Sequence, residues 1–495
     1  MFVASEGKLR SFAKDARGNV ALLFAFSLIP LLIGVGVAVD YGRALIVRER
    51  MNDAADAAAL AIGSWPGLTQ SELTTKAQQF FDANYPPSSL GTVGKLNVNF
   101  VGDDIKVDVS GQVPTTFMQL ANVDAVGVGA SSTVTKKERN IELALVLDTT
   151  GSMGNDGKMS AMQSAAKEMV KTLFNGKAKS ETLKVGVVPF AAAVNIGADK
   201  LNSGWLDKDA KTKISWEDFK SGVKVLDLYD DLTNRKWDGC VRERGGSFEL
   251  TDDPPTSNSR RWAPYLAPDE PDIGNYENNY LLDQVVGVNN YNARQRNTSK
   301  YKLGVVTSTS TGPDYNCPPR AITPLTDRQG PVVSAIEQLK PKGYTVIPAG
   351  LLWGWRVISP TEPYTEGVAY NNDKTVKAIV LLTDGRADVK GGGNGHNGSV
   401  YNAFGFAQSN HLGNANGSNA EATLNNKTIT VCDAIKAKGI RVYTIGFQVT
   451  DSITQNLLKN CATKPDMYYN SPSNDQLAAI FQDIAQGLSE LRIAQ

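Results

Sequence analysis

Histidine is nearly absent from this chain of 495 residues, which contains only His396 and His411, both in a stretch rich in Gly and Asn. This scarcity argues against a histidine-based zinc site and against a catalytic triad that depends on histidine. We expect both histidines to be solvated loop residues. Net charge is absent as well, because 51 Lys and Arg residues balance 51 Asp and Glu residues. With no basic stripe interleaved with aromatics either, no nucleic-acid partner is predicted.

Cysteine is also scarce, and its spacing excludes the common metal-binding and redox motifs. The four cysteines are Cys240, Cys317, Cys432 and Cys461, and no two of them form a Cys-x-x-Cys motif. Zinc ribbons and thioredoxin-like sites are therefore excluded. Of the roughly three possible pairings, the grouping along the chain favours Cys240–Cys317 and Cys432–Cys461. The alternative, buried free thiols in a cytosolic protein, conflicts with the topology that the N-terminal segment indicates.

A long uncharged segment near the N-terminus predicts a membrane helix. No charged residue occurs from Gly18 to Val39, and ~20 apolar residues are enough to cross a bilayer as a helix. Basic residues flank the segment on both sides, so the positive-inside signal is mild. We predict a cytoplasmic tail over residues 1–17, an anchor over residues 18–65, and the bulk of the chain outside the cytoplasm. The lipid bilayer is then one partner.

A cleaved signal peptide is the alternative for this segment, and Gly36-Val37-Ala38 would be an acceptable small-residue cleavage site. The apolar stretch is longer than the usual h-region of ~7–15 residues. It also continues without a helix breaker into an alanine-rich tract of high helix propensity. Both features favour a helix that is retained.

Beyond the anchor the sequence predicts two folded regions. Residues 66–135 combine a helix with strands that alternate at period two, which is typical of a small α/β module. In residues 136–495 apolar strands alternate with helices, which predicts a doubly wound parallel sheet. The alternation stops over about 196–326, far longer than an ordinary connection of ~4–6 residues, so we expect a large insertion pinned at its base by Cys240–Cys317. A second interruption, from Gly385 to Ala420, is expected to be a mobile loop.

Two of the apolar strands end in aspartate, Asp148 and Asp384. In a parallel sheet both carboxylates would lie at the edge where ligands bind. Thr150 and Ser152 follow Asp148 at alternating positions and add two hydroxyls. Oxygen donors without His or Cys suit a hard cation, Mg²⁺ first, with Mn²⁺ or Ca²⁺ as alternatives. Because few of these donors are charged, a carboxylate from outside the chain can complete the coordination shell.

At this point a family resemblance is evident. Asp148-x-Thr150-x-Ser152 resembles the start of the metal-ion-dependent adhesion site of von Willebrand factor A domains, with Thr at the middle hydroxyl position. Gly343-Tyr344-Thr345 is similar to the Thr loop of that family, and Thr383-Asp384-Gly385 to its final Asp loop. The resemblance implies hydroxyls that bind the ion directly or through water and carboxylates that hold it mainly through waters. The implied metal site consists of Asp148, Thr150, Ser152, Thr345 and Asp384.

The sequence on either side of these motifs resembles a more specific protein family. Segments that begin at Arg17, Val39 and Asn52 resemble the N-terminal anchor of TadE/TadG-like Flp pilus-assembly proteins, and Trp237-Asp-Gly-Cys240 and Trp353-Gly-Trp-Arg are similar to TadG-type proteins. The resemblance implies a non-enzymatic binding and assembly component of the tight-adherence pilus machinery, in the bacterial inner membrane and facing the periplasm. Its partners would be other pilus-assembly membrane proteins, one of which supplies an acidic residue to the metal shell. No small-molecule substrate is expected.

Two alternatives concern the same residues. Asp148-Thr-Thr-Gly-Ser also resembles the phosphorylation motif of haloacid-dehalogenase-type phosphohydrolases, in which the Asp is a nucleophile. That mechanism needs a positioned Lys and a late acidic pair near Mg²⁺, whereas Asp384 is a single acid. The other alternative is an A-type scaffold that has lost its metal.

Overall fold

The computed structural model describes residues 19–63, 70–86, 90–101, 104–135, 139–284, 290–390, 395–413 and 417–493. The chain forms two compact units, one that ends at Glu138 and a larger one over Arg139–Arg492. The predicted cytoplasmic tail, residues 1–17, lies outside the described residues.

A single long helix, α1 (Asn19–Gly63), organises the N-terminal unit. By length and composition it is the one helix within the described ranges that could cross a membrane, and its apolar first half is exposed. Its second half carries a buried stripe at a spacing of three to four residues, which is the pattern of a helix face against a core. The stripe includes Ala44, Met51, Ala55, Ala58 and Ile62. The helix therefore continues well beyond the apolar segment, as predicted.

A second helix and an antiparallel sheet complete the N-terminal unit. They are α2 (Gln70–Asn84), β1 (Thr92–Val93), β2 (Asn97–Val101), β3 (Asp104–Pro114) and β4 (Ala125–Thr135). The central strand β3 pairs with the other three strands. Its buried valines, Val107 and Val109, share a core with the buried stripe of α1. Between β3 and β4 the chain forms a 3₁₀ turn, Met118–Ala121.

One carboxylate attaches α1 to the β3–β4 connection. Asp40 is buried, and its carboxylate accepts backbone N–H bonds from Thr116 (3.0 Å), Phe117 (2.7 Å) and Met118 (2.8 Å). Arg43, one turn further along α1, donates to the hydroxyl of Thr116 at 2.8 Å. An acid and a base one turn apart therefore hold the connection against the helix where the uncharged segment ends.

The larger unit is built on a central six-stranded sheet and a small three-stranded sheet. In chain order the strands are β5 (Asn140–Asp148), β6 (Leu183–Phe190), β7 (Val194–Asn195), β8 (Cys240–Arg242), β9 (Ala263–Pro264), β10 (Thr323–Thr326), β11 (Thr375–Thr383), β12 (Arg441–Phe447) and β13 (Tyr468–Ser471). The central sheet has the order β10-β6-β5-β11-β12-β13, and all its neighbours pair in parallel except β10, which runs antiparallel to β6.

Helices cover both faces of the central sheet. In chain order the helices of this unit are α3 (Lys158–Phe174), α4 (Val225–Asp231), α5 (Tyr291–Gln295), α6 (Gln329–Glu337), α7 (Ile347–Ile358), α8 (Gly417–Ala437), α9 (Ser452–Cys461) and α10 (Asn474–Ile493), of which α4 and α5 belong to the insertion. Leu143, Leu145 and Leu147 of β5 share one core with α3, α6 and α10. Ala144 and Val146 face a second core with α7, α8 and α9. This two-sided burial confirms the doubly wound α/β prediction. One detail was wrong, because the antiparallel edge strand β10 falls in the range predicted as insertion.

Helix α7 is buried along its whole length and begins two residues after Thr345. Two glycines allow this close packing. A Cβ placed on Gly350 would lie 2.5 Å from Cγ of Phe190, and one on Gly354 would lie 2.4 Å from Cγ2 of Val146. These contacts are far too short for a side chain, so α7 rests directly on β5 and β6.

The insertion carries β8 and β9, which form the small sheet with β7, and it is closed by a disulfide. Cys240 pairs with Cys317, with the Cα atoms 6.1 Å apart, and Cys432 of α8 pairs with Cys461 of α9 at 5.1 Å. Both are the pairings that the sequence favours. Part of the insertion core is ionic. Arg242, fully buried, contacts Glu217 at 2.6 Å and Asp218 at 2.9 Å.

The segment predicted as a mobile loop between Gly385 and Ala420 is instead largely part of the core. Its described residues 395–413 pack against Trp262 and Tyr265 of the insertion. The buried apolar members of the segment are Val400, Tyr401, Ala403, Phe404, Phe406, Ala407 and Leu412. Helix α8 also begins within this segment, at Gly417.

We expected the two histidines in this segment to be solvated loop residues. Instead, both of them contact the insertion. Nε2 of His411 lies 3.0 Å from the carboxylate of Glu217. Nδ1 of His396 lies 2.8 Å from the hydroxyl of Tyr276. Both contacts join the segment to the insertion.

Gly354→Ala tests the close contact between α7 and the sheet. We expect a loss of about 1–3 kcal/mol in the free energy of unfolding, because the added methyl group overpacks the core. Gly487→Ala is the matched control, since it lies in α10 with nothing within 4 Å of an added Cβ. The control should be neutral or stabilising by up to about 1 kcal/mol. Urea unfolding of the full chain in detergent, followed by tryptophan fluorescence, measures both, and equal values for the two variants would contradict the close approach.

Candidate metal centre

Two neighbouring strands bring Asp148 and Asp384 to the same edge of the central sheet. Asp148 is the last residue of β5, and Asp384 directly follows β11. The two strands pair in parallel, with Leu147 opposite Leu382, so the chain leaves both strands at the same level. This is the sheet edge at which ligands bind in open α/β folds.

Asp148 is fully buried, and each of its oxygens accepts a hydrogen bond. The backbone N–H of Thr150 donates to Oδ1 at 2.8 Å. The hydroxyl of Thr383 donates to Oδ2 at 2.6 Å. The carboxylate is therefore held in one orientation by its own turn and by the adjacent strand.

Hydroxyl groups connect the turn that follows Asp148 to Asp384. Ser152 donates to Oδ1 of Asp384 at 2.7 Å, and the hydroxyls of Ser152 and Thr150 are 3.1 Å apart. Four of the five predicted ligand side chains are thus joined through hydrogen bonds, although 232 residues separate Ser152 from Asp384.

The loop that carries Thr345 contacts the turn after Asp148 through the backbone of Gly343. The carbonyl of Gly343 accepts the N–H of Gly151 at 2.8 Å, and the carbonyl of Thr345 accepts the N–H of Asp388 at 2.9 Å. Thr345 itself is buried. Within the described residues its hydroxyl makes no hydrogen bond to the other four side chains. The structure therefore places the Thr345 loop against the Asp148 turn without a direct side-chain link.

Lys158 is a member of the site that the motif did not reveal. It is the first residue of α3, and its ammonium lies 2.9 Å from Oδ2 of Asp384. Asp384 therefore shares its two oxygens between Ser152 and Lys158. The sequence showed a lysine at a helix start, but nothing in it identified a partner 226 residues away.

The charge of Asp384 disfavours the ionised form of Asp148. Burial raises the pKa of Asp148 to about 7, and the neighbouring charge of Asp384 adds to the rise. The hydrogen bonds from Thr150 and Thr383 act in the opposite direction. A cation between two such carboxylates would offset both desolvation and repulsion.

The insertion also touches the Thr345 loop. Glu277 accepts hydrogen bonds from the hydroxyls of Tyr344, at 2.7 Å, and Tyr315, at 2.8 Å. On the other side of the loop, Lys342 lies 3.1 Å from the carboxylate of Asp314. Tyr344, the residue before Thr345, therefore forms a hydrogen bond with a side chain of the insertion.

These donors suit a hard divalent cation. Carboxylate and hydroxyl oxygens are what Mg²⁺ and Mn²⁺ bind, and the set contains no imidazole or thiolate. A second group of potential ligands, Asp238 with Cys240 and Cys317, does not have this property. Its two sulfurs are joined in a disulfide and cannot act as thiolate ligands.

A comparison with known protein families finds a match in the N-terminal segment. Residues 18–63 match the family described as Flp pilus-assembly TadE/G-like, which confirms the resemblance of the N-terminal segment. No curated protein matches the chain.

Solved structures with partial similarity are von Willebrand-type and adhesive proteins. The von Willebrand factor domain of the type V pili tip protein Mfa5 from Porphyromonas gingivalis is 12% identical with a TM-score of 0.36, over 72% of this chain and 97% of that chain. The pilus adhesin SpaC from Lactobacillus rhamnosus GG is 12% identical with a TM-score of 0.33, over 79% of this chain and 34% of that chain. A mussel byssus protein, proximal thread matrix protein 1 with a zinc-occupied metal-ion-dependent adhesion site motif, is 13% identical with a TM-score of 0.30, over 72% and 47%.

Asp148→Asn tests the cost of burying the carboxylate. The folded-state pKa of Asp148 is raised, so its favourable contribution to stability is present below about pH 4 and is lost as the pH rises towards 7. With chelator present at pH 8, the neutral Asn variant should be more stable than wild type by at least about 1 kcal/mol. The difference should shrink as the pH falls to 5.

Urea unfolding of the full chain in detergent, repeated from pH 5 to pH 8, measures this difference. Asp373→Asn is the control, because Asp373 is exposed near the opposite end of β11. A variant at position 148 that is less stable than wild type at pH 8 would contradict the electrostatic cost.

Proposed function

We propose that this chain is a membrane-anchored component of a Flp (tight-adherence) pilus or secretion machinery that binds partner proteins through a divalent cation. The observation that carries the proposal is the contact between two motifs distant in sequence. Asp148, Thr150 and Ser152 meet Asp384 through hydrogen bonds of 2.7 to 3.1 Å. Such a set of oxygens at the carboxyl edge of a sheet is suited to a divalent cation.

The roles of the residues follow from their chemistry. Thr150, Ser152 and Thr345 would supply neutral oxygens, and Asp148 and Asp384 would hold the ion mainly through waters. Mg²⁺ is the expected ion, with Mn²⁺ or Ca²⁺ as alternatives. Since two carboxylates at most neutralise the ion, an acidic residue of another pilus-assembly protein can bind to it, and the ion would act as the bridge.

The proposed location is the bacterial inner membrane, with the N-terminus in the cytoplasm and the larger unit in the periplasm. The helix α1 and its match to a pilus-assembly family support a membrane-anchored protein. Two disulfides agree with an oxidising compartment. The protein would not require a small-molecule substrate or nucleic acid.

The geometry favours binding over phosphoryl transfer. A phosphohydrolase would present Asp148 to its substrate as a nucleophile. Here Asp148 is fully buried, and both oxygens accept hydrogen bonds. The nearby lysine, Lys158, pairs with Asp384 and not with Asp148. We therefore propose a protein without hydrolytic turnover.

Asp148→Ala should abolish binding of Mn²⁺ or Mg²⁺, because it removes one of the two carboxylates at the centre of the cluster. Isothermal titration calorimetry of the full chain in detergent measures the effect, and circular dichroism checks the fold. Asp373→Ala, at the opposite end of the same sheet, should bind the ion like wild type. Equal binding by the Asp148→Ala variant, or no binding by wild type, would overturn the proposal and favour a metal-free scaffold.

Lys158→Gln should increase the affinity for Mn²⁺ about tenfold, which corresponds to ~1.4 kcal/mol. The ammonium of Lys158 donates a hydrogen bond to Oδ2 of Asp384. Its positive charge would repel a cation bound at the same carboxylate. Lys167→Gln is the control, since Lys167 lies about two and a half turns further along α3 and pairs with Glu337. Weaker binding by the Lys158 variant would mean that this lysine orients Asp384 for the ion and does not compete with it.

A further inference from the structure

The β3–β4 connection, residues 115–124, exposes large apolar side chains. Leu120 is 82% exposed, Phe117 is 46% exposed and Val123 is 37% exposed. Residues 115–123 contain no charged side chain. An exposed apolar turn of this kind marks a contact surface.

Phe117 lies against helix α1, at a position within the uncharged segment of that helix. A Cβ placed on Gly36 would lie 2.5 Å from Cβ of Phe117, so the aromatic side chain covers this glycine directly. Gly36 is the one buried residue between Val20 and Val39. Because Gly36 lies about one turn before Asp40, the connection reaches back along α1 to the depth of the last turn of the span.

Many backbone N–H groups of the connection form hydrogen bonds within the protein, as an environment with little water requires. Thr116, Phe117 and Met118 donate their N–H groups to the carboxylate of Asp40. The N–H groups of four more residues donate to carbonyls within the connection: Thr115, Leu120, Asn122 and Val123. The hydroxyl of Thr115 donates to the carbonyl of Val123. Backbone groups satisfied internally in this way can approach hydrocarbon at low cost.

We propose that the β3–β4 connection is a second membrane contact, which inserts Phe117 and Leu120 into the headgroup and upper acyl region of the leaflet where α1 emerges. The occupant of this surface is lipid, because the surface is continuous with the apolar segment of α1. The contact depends on the membrane helix and not on the proposed metal centre.

The experiment uses the single thiol of a Leu120→Cys variant. All four native cysteines are in disulfides, so an environment-sensitive fluorophore can be attached at position 120 alone. The labelled full chain is reconstituted into phosphatidylcholine vesicles, with and without lipids brominated near the top of the acyl chain. Emission at position 120 should shift to shorter wavelength, be quenched at least twofold by the brominated lipid and resist quenching by iodide.

Phe100→Cys is the matched control. Phe100 is 40% exposed in the same sheet, but it pairs with Ile105 at the end of β3 far from the connection. Its label should be quenched by iodide and not by brominated lipid. Val123→Cys provides a second position in the connection and should behave like Leu120→Cys.

Two results would overturn the proposal. Iodide quenching at position 120 equal to that at position 100 would place the connection in water. Protection from iodide without quenching by brominated lipid would show that a protein surface, such as a second copy of the chain, covers the connection.

Discussion

Two like-charged carboxylates, buried side by side at one sheet edge, are the constraint around which the larger unit is arranged. Asp148 and Asp384 can share this place only if surrounding groups offset their desolvation and repulsion. The structure provides such groups from several elements: hydroxyls and a backbone N–H from the turns, and the ammonium of Lys158 from α3. The close fit of α7 on β5 and β6 then holds the Thr345 loop beside them. A cation would complete this arrangement, and the lysine offsets part of the charge of Asp384.

The elements that the sequence predicted well are those whose signal is local. The apolar strands that lead to Asp148 and Asp384 and the long apolar N-terminal helix depend on short patterns of residue type. The cysteine pairs follow the order of the cysteines along the chain. The elements that it missed depend on contacts distant in sequence. Strands β10 and β13 have only four residues each, and α7 contains Pro348 and two glycines, which weaken any helix signal.

The same distinction applies to the segment after Asp384. Gly and Asn dominate its composition, so the apolar residues between them form no helical or strand period. They become visible only as a group, when Tyr401 and Phe406 pack together against the insertion. The proposed ligands were identifiable because the carboxyl edges of parallel strands converge, whereas Lys158 required the position of a helix start relative to a distant strand.

The contact of Glu277 with Tyr344 also has a mechanical consequence. The insertion and the Thr345 loop are joined by side chains that lie far apart in the sequence. A pull on the insertion passes through the carboxylate of Glu277 to the ring of Tyr344, one residue from Thr345, and through Asp314 to Lys342. The insertion is therefore linked to the Thr345 loop by two side-chain contacts in addition to the backbone, so a displacement of the insertion can reach the residues beside Thr345 directly.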